Sequence, residues 1–154
     1  MHSHILIVDD QPDMRQTLRV FLETAGYRVI EAGDGIEALR LVKAASPDLI
    51  LLDLNMPGPC GLTVLKKLKA DPGFKPSIMV LTAGTDMESA LAVIAAGADA
   101  YMTKPVTRDQ LLAQVTELMP RSLAQARKRD RVTGKIAARR RSETHEAEYP
   151  RQLP

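Results

Sequence analysis

Up to Met119 the chain alternates between two hydrophobic periods. Continuous apolar runs stand at Ile5-Leu-Ile-Val8, Leu49-Ile-Leu-Leu52 and Ile78-Met-Val-Leu81, with shorter strand-like stretches at Arg28–Ala32 and Ala100–Thr103. Each is followed by a helical segment. Met14, Leu18, Phe21, Leu22 and Ala25 form the first, stopped by Gly26, and Ile36, Leu39 and Val42 the second, ended by Ser46-Pro47. Gly61 to Ala70, Asp86 to Ala96 and a stretch marked by Leu111, Val115 and Leu118 complete the set. Apolar runs without alternation suit parallel strands covered on both faces. Five strand–helix pairs with right-handed crossovers predict a three-layer, doubly wound α/β domain over residues 1–120. The binding crevice of such a sheet lies beyond the carboxyl ends of its strands. Asp9, Asp10, Asp53, Thr82 and Lys104 follow or end strands and are therefore expected to converge there.

Charge separates this body from the remainder of the chain. The net charge of +2 divides into −4 over residues 1–120 and +6 over 121–154. The second part is polar and Arg-rich, with clusters at Arg127-Lys128-Arg129 with Arg131 and at Arg139-Arg140-Arg141. It is expected to be a basic tail, helical as far as Thr133-Gly134 and disordered after Ser142. Its expected job is accessory binding of a partner, dispensable for the chemistry of the body. Hydrophobic residues make up 45% of the chain, which excludes a disordered polymer. No apolar run reaches the roughly 18 residues of a membrane span, and the first residues lack the order of a signal peptide. The single cysteine, Cys60, forms no internal disulfide. A cytoplasmic location, without membrane contact, is the expectation. The methionines at 14, 56, 79, 87, 102 and 119 read as core fillers.

Three carboxylates brought together repel unless one is protonated or a cation sits among them. Oxygen-only ligands suit a hard ion, and Mg²⁺ fits better than Zn²⁺. Lys104 and Thr82 could hold the oxygens of a tetrahedral anion. A carboxylate nucleophile, a divalent ion, a cation and a hydroxyl are the parts needed to transfer a phosphoryl group to an aspartate.

Four pieces carry a resemblance to a known family: Ile-Leu-Ile-Val-Asp9-Asp10; Leu-Leu-Asp53-Leu-Asn-Met-Pro57 with Gly61 after it; Val-Leu-Thr82-Ala83; and Ala-Gly-Ala-Asp-Ala-Tyr101-Met-Thr-Lys104-Pro105. In this order, each at a strand end, they make residues 4–119 resemble the receiver domain of two-component response regulators, in the single-domain, chemotaxis-regulator-like form. The resemblance implies a flavodoxin-like five-stranded parallel sheet of order 2-1-3-4-5. It implies Asp53 as phosphoacceptor, and Mg²⁺ held by Asp10, Asp53 and the backbone carbonyl of Asn55, with Asp9 acting through a water. Lys104 would pair with the carboxylate and then with the phosphoryl group. Thr82, Ala83, Tyr101 and Pro105 would form the switch, with Thr82 reading the phosphoryl oxygen, Tyr101 changing rotamer and a cis Lys104–Pro105 bond aiming the lysine. The phosphodonor would be a sensor histidine kinase or a histidine phosphotransfer protein. The output would be a downstream protein, with a homodimer as a further state compatible with the sequence.

One departure is visible. Where the family often places Asp before Gly61, this chain has Pro59-Cys60. Cysteine caps helices poorly, so a weak start is expected for the third helix, with Thr63 assisting. Two other functions compete. A nucleic-acid-binding regulator would use the basic tail, but Tyr149 is its one aromatic, so binding would be electrostatic and weakly specific. An Asp-nucleophile phosphatase would need a second carboxylate two residues after Asp53. Asn55 stands there and cannot donate a proton in that way. The expected behaviour is a phosphoacceptor switch that promotes its own phosphorylation and hydrolysis, not an enzyme with a separate substrate.

Overall fold

A computed structural model describes residues 3–58, 60–84 and 86–119. The expectations for the tail, 121–154, lie outside them. Five strands and five helices alternate: β1 His4–Val8, α1 Pro12–Thr24, β2 Arg28–Ala32, α2 Gly35–Ala45, β3 Leu49–Asp53, α3 Gly61–Ala70, β4 Ser77–Thr82, α4 Met87–Ala95, β5 Ala100–Thr103 and α5 Arg108–Leu118. The strands form one parallel sheet in the order β2-β1-β3-β4-β5, as the resemblance implies.

The period of two along each strand sends alternate side chains to opposite layers. Leu6, Val8, Ile50, Leu52, Ile78 and Val80 pack with residues of α2, α3 and α4, Val64, Leu65 and Val93 among them. Ile5, Ile7, Leu49, Leu51, Met79 and Leu81 pack on the other face against Leu18 and Leu22 of α1 and Leu111 and Val115 of α5. The central strand β3 is buried over its whole length. Burying such a Leu or Ile side chain is worth roughly 1.5–3 kcal/mol, so the sheet carries much of the stabilisation of the described residues.

Local chemistry places the helix starts. Pro12 opens α1 at a position whose N–H needs no partner. Asp34 caps α2 by accepting from Glu37 N at 2.8 Å, Asp86 caps α4 through Ser89 N at 2.8 Å, and Thr107 caps α5 through Gln110 N at 3.3 Å. Cys60 is the N-cap of α3 and makes no side-chain cap bond; its Sγ lies 3.4 Å from the Thr63 hydroxyl. Three expectations are corrected. Ile36, expected on the apolar side of α2, is 70% exposed in its first turn, where Ala38 is buried instead. Ala25 is exposed as the C-cap of α1 instead of belonging to its apolar face. Met87 is no core filler: it sits 73% exposed at the start of α4, in line with Leu91 at 62% and Ile94 at 50%. The spacing i, i+4, i+7 gives one stripe, and α4 turns it outward while burying Val93.

Candidate functional site: an acidic pocket at the carboxyl edge of the sheet

The sheet ladder runs one residue past β1, β3 and β5 and so fixes the backbone of the pocket. Asp9 N donates to Ala32 O at 3.2 Å, Leu54 N to Leu81 O at 2.9 Å and Lys104 N to Thr82 O at 2.7 Å. Asp9, Asp53 and Lys104 are thus carried by rigid backbone instead of free loop.

Asp9 and Asp53 are 1% and 4% exposed and Asp10 is half-buried; one carboxylate oxygen from each lies within 4.8 Å of the others. The Lys104 ammonium stands 3.0 Å from Asp9 Oδ2 and 3.5 Å from Asp53 Oδ1. Asp9 Oδ1 accepts from Gln11 N at 2.9 Å, and Asp53 Oδ1 from Asn55 N at 3.1 Å. Burial pushes the Asp53 carboxyl above its ordinary value; the Asn55 N–H opposes this, Asp9 adds to it, and Lys104 opposes it. Desolvation therefore dominates. Three carboxylates and one ammonium leave a formal charge of −2, which one divalent cation would neutralise. The donors are all oxygen, so the set fits a hard ion such as Mg²⁺.

The second part of the pocket is built around Gly84. Its N–H donates to Thr82 Oγ1 at 3.0 Å, and its carbonyl accepts from the Tyr101 hydroxyl at 2.9 Å. Asn55 Nδ2 donates to the same Thr82 oxygen at 3.5 Å. Thr82 is 1% exposed and Tyr101 half-buried, whereas Ala83 is exposed beside the pocket. The Lys104–Pro105 peptide is cis.

The third part lies beneath Asp53. Gly61 N donates to Leu54 O at 3.2 Å. A Cβ at Gly61 would overlap the carbonyl oxygen of Asp53 and come 2.7 Å from Leu54 Cα, so only glycine lets α3 start this close to β3.

The structure brings Asp9, Asp10, Asp53 and Lys104 together, and Thr82 stands beside them, linked through the Asn55 side chain. It adds two that sequence reasoning missed, Gln11 and Arg15, and gives Gly84, which the sequence placed only as a flanking residue, a defined role. Gln11 holds Asp9 through its amide, Gly84 is the shared partner of Thr82 and Tyr101, and Arg15 donates from Nη1 to the Asp9 carbonyl at 2.7 Å. Gln11 and Gly84 act through backbone atoms, which residue types do not announce.

Fold and pocket together define a doubly wound α/β domain with an acidic, cation-seeking pocket at the carboxyl edge of its sheet. Residues 5–116 match the response regulator receiver domain family. The chain belongs to that family, the phosphoacceptor domain of two-component signalling systems. It is 38% identical over 122 residues to the DNA-binding response regulator MtrA of Mycolicibacterium smegmatis, covering 79% of this chain and 53% of that protein. It is 37% identical over 122 residues to the transcriptional regulatory protein KdpE of Mycobacterium tuberculosis, with the same coverage. The chain therefore spans about half the length of these curated relatives. Among solved structures, a putative response regulator of Chloroflexus aurantiacus superposes with a TM-score of 0.74 at 34% identity, over 79% of this chain and 100% of the other. The chemotaxis protein CheY4 of Vibrio cholerae does so with a TM-score of 0.73 at 32% identity, over 77% of this chain and 100% of the other.

Proposed function

We propose that Asp53 accepts the phosphoryl group, and that Asp10, Asp53 and the Asn55 carbonyl hold Mg²⁺ with Asp9 assisting through water. The observation that carries this reading is the convergence of three carboxylates within 4.8 Å beside one lysine, with Asp53 at the end of the buried central strand. Held by these oxygens, Mg²⁺ would supply positive charge to offset that of the transferring phosphoryl group. An Asp53 carboxylate oxygen forms the new bond to phosphorus while the bond from phosphorus to a histidine nitrogen of the donor breaks. That nitrogen keeps the electron pair and takes up a proton. A sensor histidine kinase or a histidine phosphotransfer protein supplies such a donor. Lys104, already 3.5 Å from Asp53, pairs with the added phosphoryl oxygens.

Phosphorylation adds about 1.5 to 2 negative charges and three acceptor oxygens. A phosphoryl oxygen then accepts from the Thr82 O–H, whose oxygen in this state accepts from the Gly84 N–H at 3.0 Å. Drawing Thr82 toward the phosphoryl group frees one side of Gly84, while Tyr101 holds the other side. The α4 cap, Asp86, stands two residues later, so the change passes into α4 and the surface it forms with β5 and α5. Downstream proteins, or a second copy of the chain, would read that surface in the cytoplasm. What the names of MtrA and KdpE say of DNA binding and transcription is a property of those proteins. For this chain, nucleic-acid binding through the Arg-rich segment stays the less favoured reading, separable by its steep salt dependence.

The deciding experiment is incubation with a small acyl phosphate and Mg²⁺, read by intact mass. The wild type should gain one phosphoryl group and Asp53→Asn none. An equal gain in both would remove Asp53 as the acceptor, and an undiminished rate in EDTA would remove the metal.

A further inference from the structure

We propose that Arg15 is a positioning residue for the cation pocket: it replaces a missing rung of the sheet and thereby sets the direction of Asp10. The inference rests on the reading of Asp10 as a metal ligand.

β1 and β2 are parallel, with Val8 opposite Ala32 and Asp9 N donating to Ala32 O. In an evenly spaced parallel ladder the next bond would run from Asp34 N to Asp9 O. That bond is not made, because β2 ends at Ala32 and Asp34 has become the N-cap of α2. A buried carbonyl without a partner is costly. Arg15, in the first turn of α1, fills the place: its Nη1 donates to Asp9 O at 2.7 Å.

The guanidinium is itself held. Its Nε lies 3.3 Å from Glu31 Oε1 on β2, and the other Glu31 oxygen receives Arg19 Nε at 2.9 Å and Nη2 at 2.6 Å. Arg15 and Glu31 are mostly buried, at 20% and 28% side-chain exposure. Gly33 passes close by; a Cβ there would sit 3.5 Å from Arg15 Nη1. A planar guanidinium spreads its donors over a rigid fork that reaches the carbonyl and the carboxylate in fixed directions, whereas a lysine gathers its donors at one nitrogen on a flexible stem.

Asp9 is thus fixed at four points: N–H to Ala32, carbonyl to Arg15, one carboxylate oxygen to Gln11 and the other to Lys104. Asp10 has no side-chain hydrogen bond or ion pair among the described residues. Its direction is inherited from the Asp9–Asp10 peptide, whose carbonyl Arg15 holds. Supports of this kind commonly change metal affinity 10–100-fold when removed.

Charge and position predict opposite outcomes here. If Arg15 acted only as a cation near the site, removing it would tighten Mg²⁺ binding. If it positions Asp10, removing it loosens binding. The test is a calorimetric Mg²⁺ titration of the whole chain as wild type, Arg15→Ala, Arg15→Lys and Asp10→Ala, with urea midpoints in EDTA as a control on folding. Arg15→Ala should raise the Kd for Mg²⁺ about tenfold, and Arg15→Lys several-fold although it keeps the charge. In EDTA the Asp10 and Gln11 amide resonances of Arg15→Ala should broaden. An Arg15→Ala protein that binds Mg²⁺ as tightly as wild type, or more tightly, overturns the proposal. Should that variant not fold, wild-type affinity in Arg15→Lys overturns it. A wild type that does not bind Mg²⁺, or an Asp10→Ala that binds it unchanged, would instead strike the metal reading and leave Arg15 as a structural brace.

Discussion

Asp53 illustrates how one residue trades stability for reactivity. Its carboxyl is pushed above the ordinary carboxylate range chiefly by burial. A group whose pKa is higher folded than unfolded contributes no penalty below its unfolded value, near 3.8 to 3.9. The penalty grows as pH rises toward the folded value and is constant beyond it. Asp53→Asn, neutral at every pH, should therefore raise the urea midpoint in EDTA at pH 7. The gain should shrink as pH falls through the carboxylate range, and chemical denaturation at pH 7 and near pH 4 checks this. The acidic residues themselves were legible in the sequence, because an aspartate directly after a wholly apolar run has one place to go in a parallel sheet. Arg15 was not legible, since its role depends on β2 stopping at Ala32 and leaving the Asp9 carbonyl without its rung. Nor does any residue type reveal that Thr82 and Tyr101 meet on the backbone of Gly84.

The helices were placed by their hydrophobic period, and the sequence also located one poorly capped start. The expectation of a poor start for α3 agrees with Cys60 standing at the N-cap without a side-chain cap bond. Cys60→Asp should supply the missing acceptor and, in the first turn, favourable charge. The expected gain is about 0.5–2 kcal/mol, seen as a higher Tm. Position 61 should behave in the opposite way. Gly61→Ala would normally favour a helix, yet here the methyl group would meet the Asp53 carbonyl and Leu54 Cα. Backbone cannot yield as a flexible side chain does, so a loss of about 1–3 kcal/mol is expected, together with slower phosphorylation of Asp53. A stable Gly61→Ala with wild-type phosphorylation would show that α3 can back away freely. The exposure of Met87 was not legible, because periodicity identifies an apolar stripe on α4 without saying whether anything covers it.

At the scale of the molecule, the pocket couples ligand to fold. Three carboxylates against one lysine leave the metal-free domain with uncompensated charge at the carboxyl edge of its sheet. A cation that binds the folded state alone stabilises it by mass action, by about 2.7 kcal/mol at a hundred times its Kd. Saturating Mg²⁺ should raise the Tm by on the order of 10 °C, and Asp10→Ala should abolish most of that rise; differential scanning calorimetry measures both. The sheet order 2-1-3-4-5 was legible only through the family resemblance. Apolar runs specify that strands are central and parallel, but many strand orders satisfy the same pattern.

The unequal anchoring of sheet and α4 can be expressed as compliance. Hydrogen bonds to a charged group are worth about 1.5–3 kcal/mol each, so a phosphoryl group held, as proposed, by Thr82 and Lys104 would deliver a small, fixed load. The buried strands behave as a stiff spring under it. α4, with Val93 buried and Met87, Leu91 and Ile94 turned outward, is a soft spring joined to the first through Gly84. Springs in series extend at the softer member. On the proposed phosphorylation of Asp53, a chemical event at the centre of the domain would be converted into displacement at its rim, while the geometry that made the event possible would stay in register for the next cycle.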